Sequence, residues 1–351
     1  MIGKDYRALA AELNKEGLFK PKSAYGFATV AGELCAFAVA FTLLLRVEPM
    51  GIAFWALQIF LGASCFRFFV IVHEAGHRSL FKSRVANDIA GFIGSIFCFV
   101  PLYPWRSIHY QHHKWVGVID KDPTQNELMG MKKWGAGMNL LFRVIWFTWF
   151  PLMFFVFIFR LFWGKPFRDL MKGDKKNAIQ GFISLAVILA PRIAVLSVFG
   201  WKWALLYLGP MSYAYLFVNE QVSLPQHSGL FPFLSHDHPK PIPFHEQDQV
   251  SRTTAKPGLL PVLLAFNFNL HTEHHLYPSV PWYWLPRVGA RIKHLHQVNF
   301  AGFMLSIRTK DPVEVYTKAL PASPPPGVVP AAPASSSEDV NEASEAAVPT
   351  S

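Results

Sequence analysis

The sequence has few charged residues and few cysteines. Only 16% of its 351 residues are Asp, Glu, Lys or Arg, whereas 52% are apolar and 15% aromatic; soluble domains carry about 25% charged residues. The three cysteines (Cys35, Cys65 and Cys98) lie in apolar stretches, so the sequence predicts neither a disulfide framework nor a zinc-type cysteine pair. The charged residues 1–23 contain no apolar signal core, so no cleaved targeting peptide is predicted. This composition indicates an integral membrane protein.

The net charge of +10 would suggest a nucleic-acid partner if the chain were soluble. In a membrane protein the same excess is typical of basic cytoplasmic loops that contact anionic lipid headgroups. We therefore predict the lipid bilayer, and no nucleic acid, as the partner of these charges.

Four apolar runs are predicted to cross the membrane as two helical hairpins. They cover residues 24–47, 51–72, 178–200 and 203–222. The run at 89–105 lies between two histidine clusters, so it must enter and leave on one side if the clusters share a site. The run at 144–159 has Pro151 at its middle and a basic segment after it, so it is predicted to dip into the membrane or lie flat. A six-span bundle is the alternative topology.

The predicted fold is an all-α integral membrane protein with four transmembrane helices and a cytoplasmic helical cap. Residues 1–23 form a cytoplasmic segment with a short surface helix at 4–16, and residues 24–311 form the membrane domain. Residues 312–351 are rich in Pro, Ala and Ser with several acidic residues, which predicts a disordered tail. Both termini are expected to be cytoplasmic.

Nine of the fourteen histidines fall into four clusters near the ends of apolar runs. The candidate ligands are His73, His77, His109, His112, His113, His227, His271, His274 and His275. The spacings i, i+4 and i, i+3, i+4 place imidazoles on one helical face, and imidazole is the commonest metal-ligating side chain. Nine nitrogen donors exceed the needs of one ion and suit two metal ions, with positions left for oxygen or water.

Three carboxylates beside these clusters are candidates to orient ring nitrogens by hydrogen bonding, namely Glu74, Asp122 and Glu273. Ordinary polar neighbours in a cytoplasmic cap are an equal alternative for all three. The remaining histidines lie in polar or Pro-rich segments and are interpreted as solvated surface. They are His236, His238, His245, His294 and His296.

The three motifs His-Glu-Ala-Gly-His (73–77), His-Tyr-Gln-His-His (109–113) and His-Thr-Glu-His-His (271–275) together resemble the membrane fatty acid desaturase and hydroxylase superfamily. The resemblance runs from about Gly51 to Arg287. It implies two Fe ions on the cytoplasmic face, held by the motif histidines and by one more that His227 matches, with O2 as co-substrate. It also implies a long acyl chain as substrate, bound to a lipid, CoA or acyl carrier protein. No His-Pro-Gly-Gly cytochrome b5 segment is present, so a separate ferredoxin or cytochrome b5 is the expected electron donor.

Desaturation of the acyl chain is therefore the predicted reaction, with hydroxylation as an alternative because the ligands do not separate the two. The spacing after the third motif is also similar to that of carotenoid ketolases. His73-Glu74-Ala75-Gly76-His77 matches the zinc metalloprotease signature with Glu74 as general base, but a protease would leave both later motifs unexplained. A metal transporter or sensor would place its histidines within spans, whereas these lie at span ends and in loops.

Overall fold

The computed structural model describes residues 3–255 and 260–317. The α-helices are α1 (Gly3–Lys15), α2 (Ser23–Leu44), α3 (Ile52–His77), α4 (Arg84–Cys98), α5 (Leu102–Trp115), α6 (Pro123–Met129), α7 (Ala136–Phe147), α8 (Leu152–Val156), α9 (Lys165–Met171), α10 (Lys175–His227), α11 (Leu260–Ala265), α12 (His271–Leu276), α13 (Leu285–Gly289), α14 (Phe300–Arg308) and α15 (Pro312–Thr317). Two 3-10 helices lie at Gly130–Lys133 and Phe244–Gln249, and a π-helical segment at Phe157–Trp163. Strands β1 (Thr253–Ala255) and β2 (Gln297–Asn299) pair in parallel. The described chain is mainly helical, as the sequence predicts.

Three helices of the described chain are long and apolar enough to cross a membrane: α2, α3 and α10. The first two match the predicted spans at 24–47 and 51–72. Helix α10 covers both later spans, and its backbone leaves the helical conformation at Gly200 (φ 78°, ψ 166°), where the sequence separates the two. Glycine adopts this positive φ without a steric penalty. Four spans remain a prediction, since the helices alone allow from three to five.

The two apolar runs that were predicted to dip or lie flat are sharply bent. Helices α4 and α5 meet at an angle of 100°, and α7 meets the helical segment beginning at Leu152 at 117°. Each bend contains a residue with a left-handed backbone, Phe99 (φ 61°) or Trp149 (φ 61°), followed within two residues by Pro101 or Pro151. Proline disfavours a helical conformation in the residue before it, which ends each helix at this point.

Helix α3 lies at the centre of the packing and contacts α2, α4 and α10. Two of its polar side chains are buried against Glu33 of α2, which is 5% exposed. Arg67 Nε lies 2.6 Å from Glu33 Oε2, and the Ser64 hydroxyl donates to Glu33 Oε1. Arg67 Nη1 also donates to the Leu263 carbonyl of α11 at 3.0 Å. This buried network therefore joins α2, α3 and the segment that leads to the third histidine motif.

A cap of short elements covers the ends of α3 and α10 where the histidines lie. Helix α1 matches the predicted surface helix at 4–16, but its Leu9 and Leu13 are buried with Leu276 and Tyr277 beside the third motif. Tyr6 Oη donates to the Leu276 carbonyl at 2.9 Å. The N-terminal segment is therefore part of the packed cap.

The structure differs from the predicted domain boundary at residue 311. Residues 312–317 form α15, and Val315 is buried with Trp146 of α7 and Met304 of α14. The segment is only six residues long and is followed by a Pro- and Ala-rich stretch, so its few apolar side chains did not mark it as packed. The rest of the predicted disordered tail, 318–351, lies outside the described residues.

Candidate metal centre

Four helices bring the nine candidate histidines together. His73 and His77 lie in the last turns of α3, His227 ends α10, and α5 and α12 carry the two triplets. Each triplet is at i, i+3, i+4, so one helical face aims all three imidazoles at the same space. Where ring nitrogens of two different clusters meet, the two histidines are 32 to 161 positions apart in the sequence.

The nitrogens form two groups, and within each group they lie within 4.8 Å of one another. The first histidine group is His73, His77, His109 and His274. The second histidine group is His112, His227, His271 and His275. Each group therefore combines residues from three different helices, and neither could form from one motif alone.

His113, the ninth histidine, lies at the edge of the first group. Its Nε2 is 3.0 Å from His109 Nε2 and 3.0 Å from His274 Nε2. Its ring is also 4.3 Å from the ring of His275 in the second group. The structure thus brings all nine predicted residues into one continuous cluster.

The hydrogen bonds behind the second group fix the imidazole tautomers. His227 Nδ1 lies 2.8 Å from the Val250 carbonyl, which can only accept, so Nδ1 carries the proton. His112 Nδ1 faces the Asp122 carboxylate at 2.6 Å, and His275 Nδ1 faces Gln247 Oε1 at 2.9 Å. The Gln247 amide is oriented by its own donation to the His113 carbonyl at 2.8 Å. These three imidazoles therefore carry their Nε2 lone pairs toward the middle of the group.

Lone pairs in this arrangement repel one another unless a cation lies among them. The Nε2 atoms of His112 and His227 are 3.2 Å apart, and those of His227 and His271 are 2.7 Å apart. In the first group, the buried Nε2 of His73 has no hydrogen-bond partner among the described residues. The donor set therefore fits two metal ions, one for each group.

Burial keeps the imidazoles of the third motif neutral. Desolvation, followed by the neighbouring imidazoles, lowers the pKa of His271, His274 and His275 well below the usual value. A metal ligand must offer an unprotonated nitrogen. These three residues would therefore not need to lose a proton near neutral pH to act as metal ligands.

The three predicted carboxylates behave differently from one another. Asp122 is fully buried and contacts His112 as described. Glu74 Oε1 lies 3.2 Å from His73 Nδ1, and its Oε2 accepts from Ser79 Oγ and from the Trp282 backbone. These bonds engage Glu74 on the far side of the ring, which argues against the role of general base that a zinc protease requires.

Glu273 differs from the expectation, because its carboxylate faces away from both histidine groups. It accepts from Thr253 Oγ1 at 2.5 Å and pairs with His294 Nε2 at 2.7 Å. A helix turns about 100° for each residue, so position 273 leaves the face shared by 271, 274 and 275. Glu273 fixes α12 to β1 and to the segment before β2.

His294 is correspondingly not the solvated surface residue that the sequence suggested. Its side chain is 14% exposed, and the hydrogen bond to Glu273 raises its pKa. Of the other four histidines outside the groups, His236 is exposed, whereas His238, His245 and His296 are partly buried. None of these five belongs to either histidine group among the described residues.

Sequence reasoning missed Gln247 and the Val250 carbonyl as partners of the second group. Both come from the 3-10 segment Phe244–Gln249 and the turn after it, in a polar stretch without periodicity. A backbone carbonyl has no residue-type signature at all. Only the fold shows that this stretch passes behind His227 and His275.

A small cavity of about 10 Å³ lies beside His73, His271 and His274. Val70, Phe266, Phe268 and Trp282 provide much of its apolar lining. This volume holds about one water molecule. A ligand larger than water can reach the histidine groups at this point only if these side chains move.

The known proteins that resemble the chain include desaturases named for acyl-lipid substrates. It is 26% identical over 306 residues to the sn-1 oleoyl-lipid 12-desaturase of Anabaena variabilis, covering 76% of this chain and 81% of that protein. It is 26% identical over 257 residues to the sn-1 acyl-lipid omega-3 desaturase (ferredoxin) of Nostoc sp. (strain 36), covering 68% and 66%. The beta-carotene 4-ketolase of Protosiphon botryoides is 24% identical over 243 residues, covering 65% and 50%.

The sequence profile of the family described as Fatty acid desaturase matches residues 50–301. This range contains all nine clustered histidines, the helices that carry them and the cap segment behind the second group. Together with the buried histidine cluster and the long apolar helices, the match assigns the chain to a family of membrane-bound oxidoreductases. The protein belongs to the fatty acid desaturase family.

Proposed function

We propose that this protein catalyses the oxygen-dependent desaturation of a long fatty acyl chain at a site containing two irons. The observation that carries the proposal is the pair of histidine groups, whose nitrogens converge within 4.8 Å in each group. The first group would hold one iron with His113 as a further ligand, and the second group would hold the other. Bound iron supplies the redox chemistry with O2 that removal of hydrogen from an unactivated methylene requires.

The residues around the groups would orient the ligands and exclude water. Asp122, Gln247 and the Val250 carbonyl hold the rings of the second group by their Nδ1 atoms. Phe268 and Trp105 pack against His73, with ring centroids 5.0 Å and 5.4 Å away. A dry apolar wall beside one face of the ligands suits the approach of an acyl chain.

Two further features of the proposal come from the relatives. The two desaturases above are named for acyl-lipid substrates, and one name includes ferredoxin, so we infer a lipid-linked acyl substrate and a separate electron donor of the ferredoxin or cytochrome b5 type.

The ends of α3 and α10 that carry the histidines would face the cytoplasm, because the basic segment 165–176 is expected on that side.

The first test is the metal content of the purified, detergent-solubilised protein. About two irons per chain and no zinc is the expected result, followed by lipid profiling of expressing cells for chains with an added double bond. Zinc in place of iron would contradict the proposal. An added hydroxyl or a ketocarotenoid as the product would favour the hydroxylase or ketolase reading of the same site.

Substitution of one ligand in each group tests whether both groups serve one reaction. His274→Ala and His112→Ala should each abolish desaturation and lower the iron content, while the protein stays in the membrane. His238→Ala is the matched control, because its Nδ1 hydrogen-bonds to the Lys240 carbonyl near the surface, and it should retain activity. Normal turnover in either ligand variant would refute the shared site.

A further inference from the structure

The small cavity beside the histidines is separated from the outside of the protein by only a few side chains. Most residues that line it are buried, including His73 of the first histidine group and His271 of the second. Three lining residues are only partly buried, namely Phe266, Leu270 and Trp282. The cavity therefore comes nearest to the outside of the protein at these three side chains.

Two of the three side chains face the membrane-spanning part of the chain. Phe266 and Trp282 pack against the large apolar cluster built around α3 and α4. Their rings also contact each other, with centroids 4.9 Å apart, and we refer to them as the aromatic pair. Leu270 instead packs against the cluster that α1 forms with the cap. The aromatic pair thus closes the cavity on the membrane side, and Leu270 closes it on the cap side.

The outer surface beside Phe266 is apolar. Leu263 and Leu264 of α11 come shortly before it in the chain and are 63% and 39% exposed. Arg67 of α3 donates to the Leu263 carbonyl at 3.0 Å, and it lies about 15 Å along the helix from the end of α3 at His77. Because α3 is predicted to cross the membrane, exposed leucines at this depth would contact lipid tails.

The outer surface beside Trp282 lies at the level of a membrane–water boundary. The next residue, Tyr283, accepts at its Oη from the Lys22 backbone N–H at 2.7 Å, directly before α2 begins. The Lys22 ammonium also lies over the Trp284 ring, 4.9 Å from its centroid. Tyr and Trp side chains at the end of an apolar helix are typical of this boundary. The aromatic pair therefore lies between the lipid-facing surface of α11 and the level of the headgroups.

The Trp282 backbone is held in place, whereas its ring is not. The Trp282 N–H donates to Glu74 Oε2 at 3.0 Å, and its carbonyl accepts from Asn267 Nδ2 at 3.2 Å. The indole Nε1–H is buried and has no hydrogen-bond partner among the described residues. Rotation of the ring therefore breaks no hydrogen bond there, and it exposes a donor that is costly to leave unpaired.

The backbone beside the other ring is strained. Phe266 (φ 44°) and Asn267 (φ 59°) are consecutive residues in the left-handed region, which is unfavourable for a bulky side chain. Strained residues of this kind persist where the surrounding contacts hold them, and they are common at ligand clamps and switch segments. Here the Asn267 amide is held by the Trp282 carbonyl, so the strain lies next to the aromatic pair.

We propose that Phe266 and Trp282 form a gate through which an acyl chain passes from the bilayer to the histidine groups. The chain of a membrane lipid fits such a gate, because it is apolar and unbranched and needs only a narrow opening between two rings. The inference rests on the proposed function, which supplies the acyl substrate, and adds the side from which that substrate enters. An acyl thioester of a soluble carrier would instead enter from the cap side, past Leu270.

The test measures photochemical labelling of the full-length, metal-loaded protein in phosphatidylcholine bilayers. The probe is a phosphatidylcholine with a diazirine near the middle of one acyl chain, and labelled residues are located by mass spectrometry after proteolysis. Trp282→Ala removes one ring and keeps both backbone hydrogen bonds. Labelling within residues 268–274 should rise about tenfold or more, because a gate that is closed by default is open in at most about 10% of molecules.

Two further variants complete the test. Phe266→Leu removes the other ring but keeps an apolar side chain, so it should raise labelling of the same residues and carries the test if Trp282→Ala loses iron. Trp201→Ala is the matched control, because Trp201 is 66% exposed in α10 and does not line the cavity. It should leave the labelling unchanged. An unchanged iron content in a gate variant would show that its histidine groups are intact.

Two results would overturn the gate. The first is equal labelling within 268–274 in the wild type and both gate variants. The second is labelling of these residues by a diazirine-bearing acyl coenzyme A added in solution but not by the lipid, which would assign the entry to the cap side. Labelling does not require turnover, so the proposed function is tested separately. A protein that forms no double bond, but whose labelling responds to both gate variants, would refute desaturation and support the gate.

Discussion

The glycine of the first histidine motif leaves space for a tryptophan ring. A Cβ on Gly76 would overlap the six-membered ring of Trp105, and Trp105 is stacked on His109 with ring centroids 4.3 Å apart. From the sequence, Gly76 is only a mild weakness in a helix. The structure shows that its missing side chain sets the position of a candidate ligand from another helix.

Gly76→Ala should therefore displace Trp105 and, through it, His109. We expect a loss of about 1–3 kcal/mol in the free energy of unfolding, typical of overpacking, and a lower iron content. Thermal unfolding and iron analysis measure both. Gly32→Ala is the control, because among the described residues nothing outside the local helix backbone lies within 4 Å of a Cβ at that position in α2; it should be neutral or stabilising. Wild-type iron content in Gly76→Ala would show that Trp105 does not position His109.

Asp122 holds the tautomer of His112. Its Oδ1 accepts from Thr124 N and Thr124 Oγ1, so in Asp122→Asn the amide nitrogen would take the place of Oδ2 and face His112 Nδ1. Two donors cannot bond, which drives the imidazole proton to Nε2 and removes the ligand lone pair. Metal affinity should fall about 10–100-fold, measured as iron retained against graded chelator.

The control for this substitution is Asp237→Asn. Its side chain is 62% exposed, and it lies outside both histidine groups. If the two variants retained the same amount of iron, orientation of His112 by Asp122 would be refuted.

The histidines that converge in the two groups could be predicted from the sequence because helical spacing is a local property. His271, His274 and His275 share a face whatever the rest of the chain does. The partners behind them could not be predicted, because Gln247 and Val250 meet the rings only through the tertiary fold. Glu273 was misplaced for a related reason, since proximity in sequence does not give the direction of a side chain.

At the level of helices, a buried ion pair joins α14 to α10. Arg308 and Glu220 are each 4% exposed, and their closest charged atoms are 3.5 Å apart. Glu220 Oε2 also accepts from the backbone N–H groups of Met153 and Phe154 at the start of α8. Arg308 lies over the Trp146 ring of α7 at 3.9 Å. One pair of charges thus fixes four helices.

Arg308→Met should destabilise the protein by about 3–5 kcal/mol, because it leaves the Glu220 charge buried without its partner. Glu220→Gln/Arg308→Met should recover part of this loss, since no buried charge remains. Thermal unfolding of the single and double variants measures the coupling.

Arg143→Met is the control. Arg143 is 53% exposed in its pair with Asp311, so this substitution should lower the free energy of unfolding by at most about 1 kcal/mol. Equal losses in the two single variants would contradict a special role for the buried pair.

The helices themselves were predicted better than their connections. Long apolar runs identify α2 and α3 within a few residues, and the break in α10 falls at Gly200, where the sequence separates two runs. The Glu33–Arg67 pair was not foreseen, because single charges inside an apolar run reveal no partner. Whether such a charge is buried or faces lipid depends on how the helices rotate against each other.

For the molecule as a whole, the histidine groups would act as cross-links between distant parts of the chain when they hold metal. They join α3, α5, α10 and α12 where facing lone pairs would otherwise repel. A ligand that binds only the folded state stabilises it, by about 2.7 kcal/mol when its concentration is one hundred times its Kd. Metal binding and folding should therefore be coupled.

Removal of the metal with a chelator should lower the unfolding temperature by roughly 5 °C or more, given this energy and the size of the chain. The shift should be smaller in His274→Ala, which has already lost one ligand of the first group, and should reach its full size in His238→Ala. Differential scanning fluorimetry in detergent, with iron content measured on the same samples, gives the temperature shift for the wild type and both variants. If the chelator lowered the unfolding temperature equally in wild type and His274→Ala, it would be acting elsewhere. A metal held by fewer ligands stabilises the fold less, so its removal should lower the unfolding temperature less.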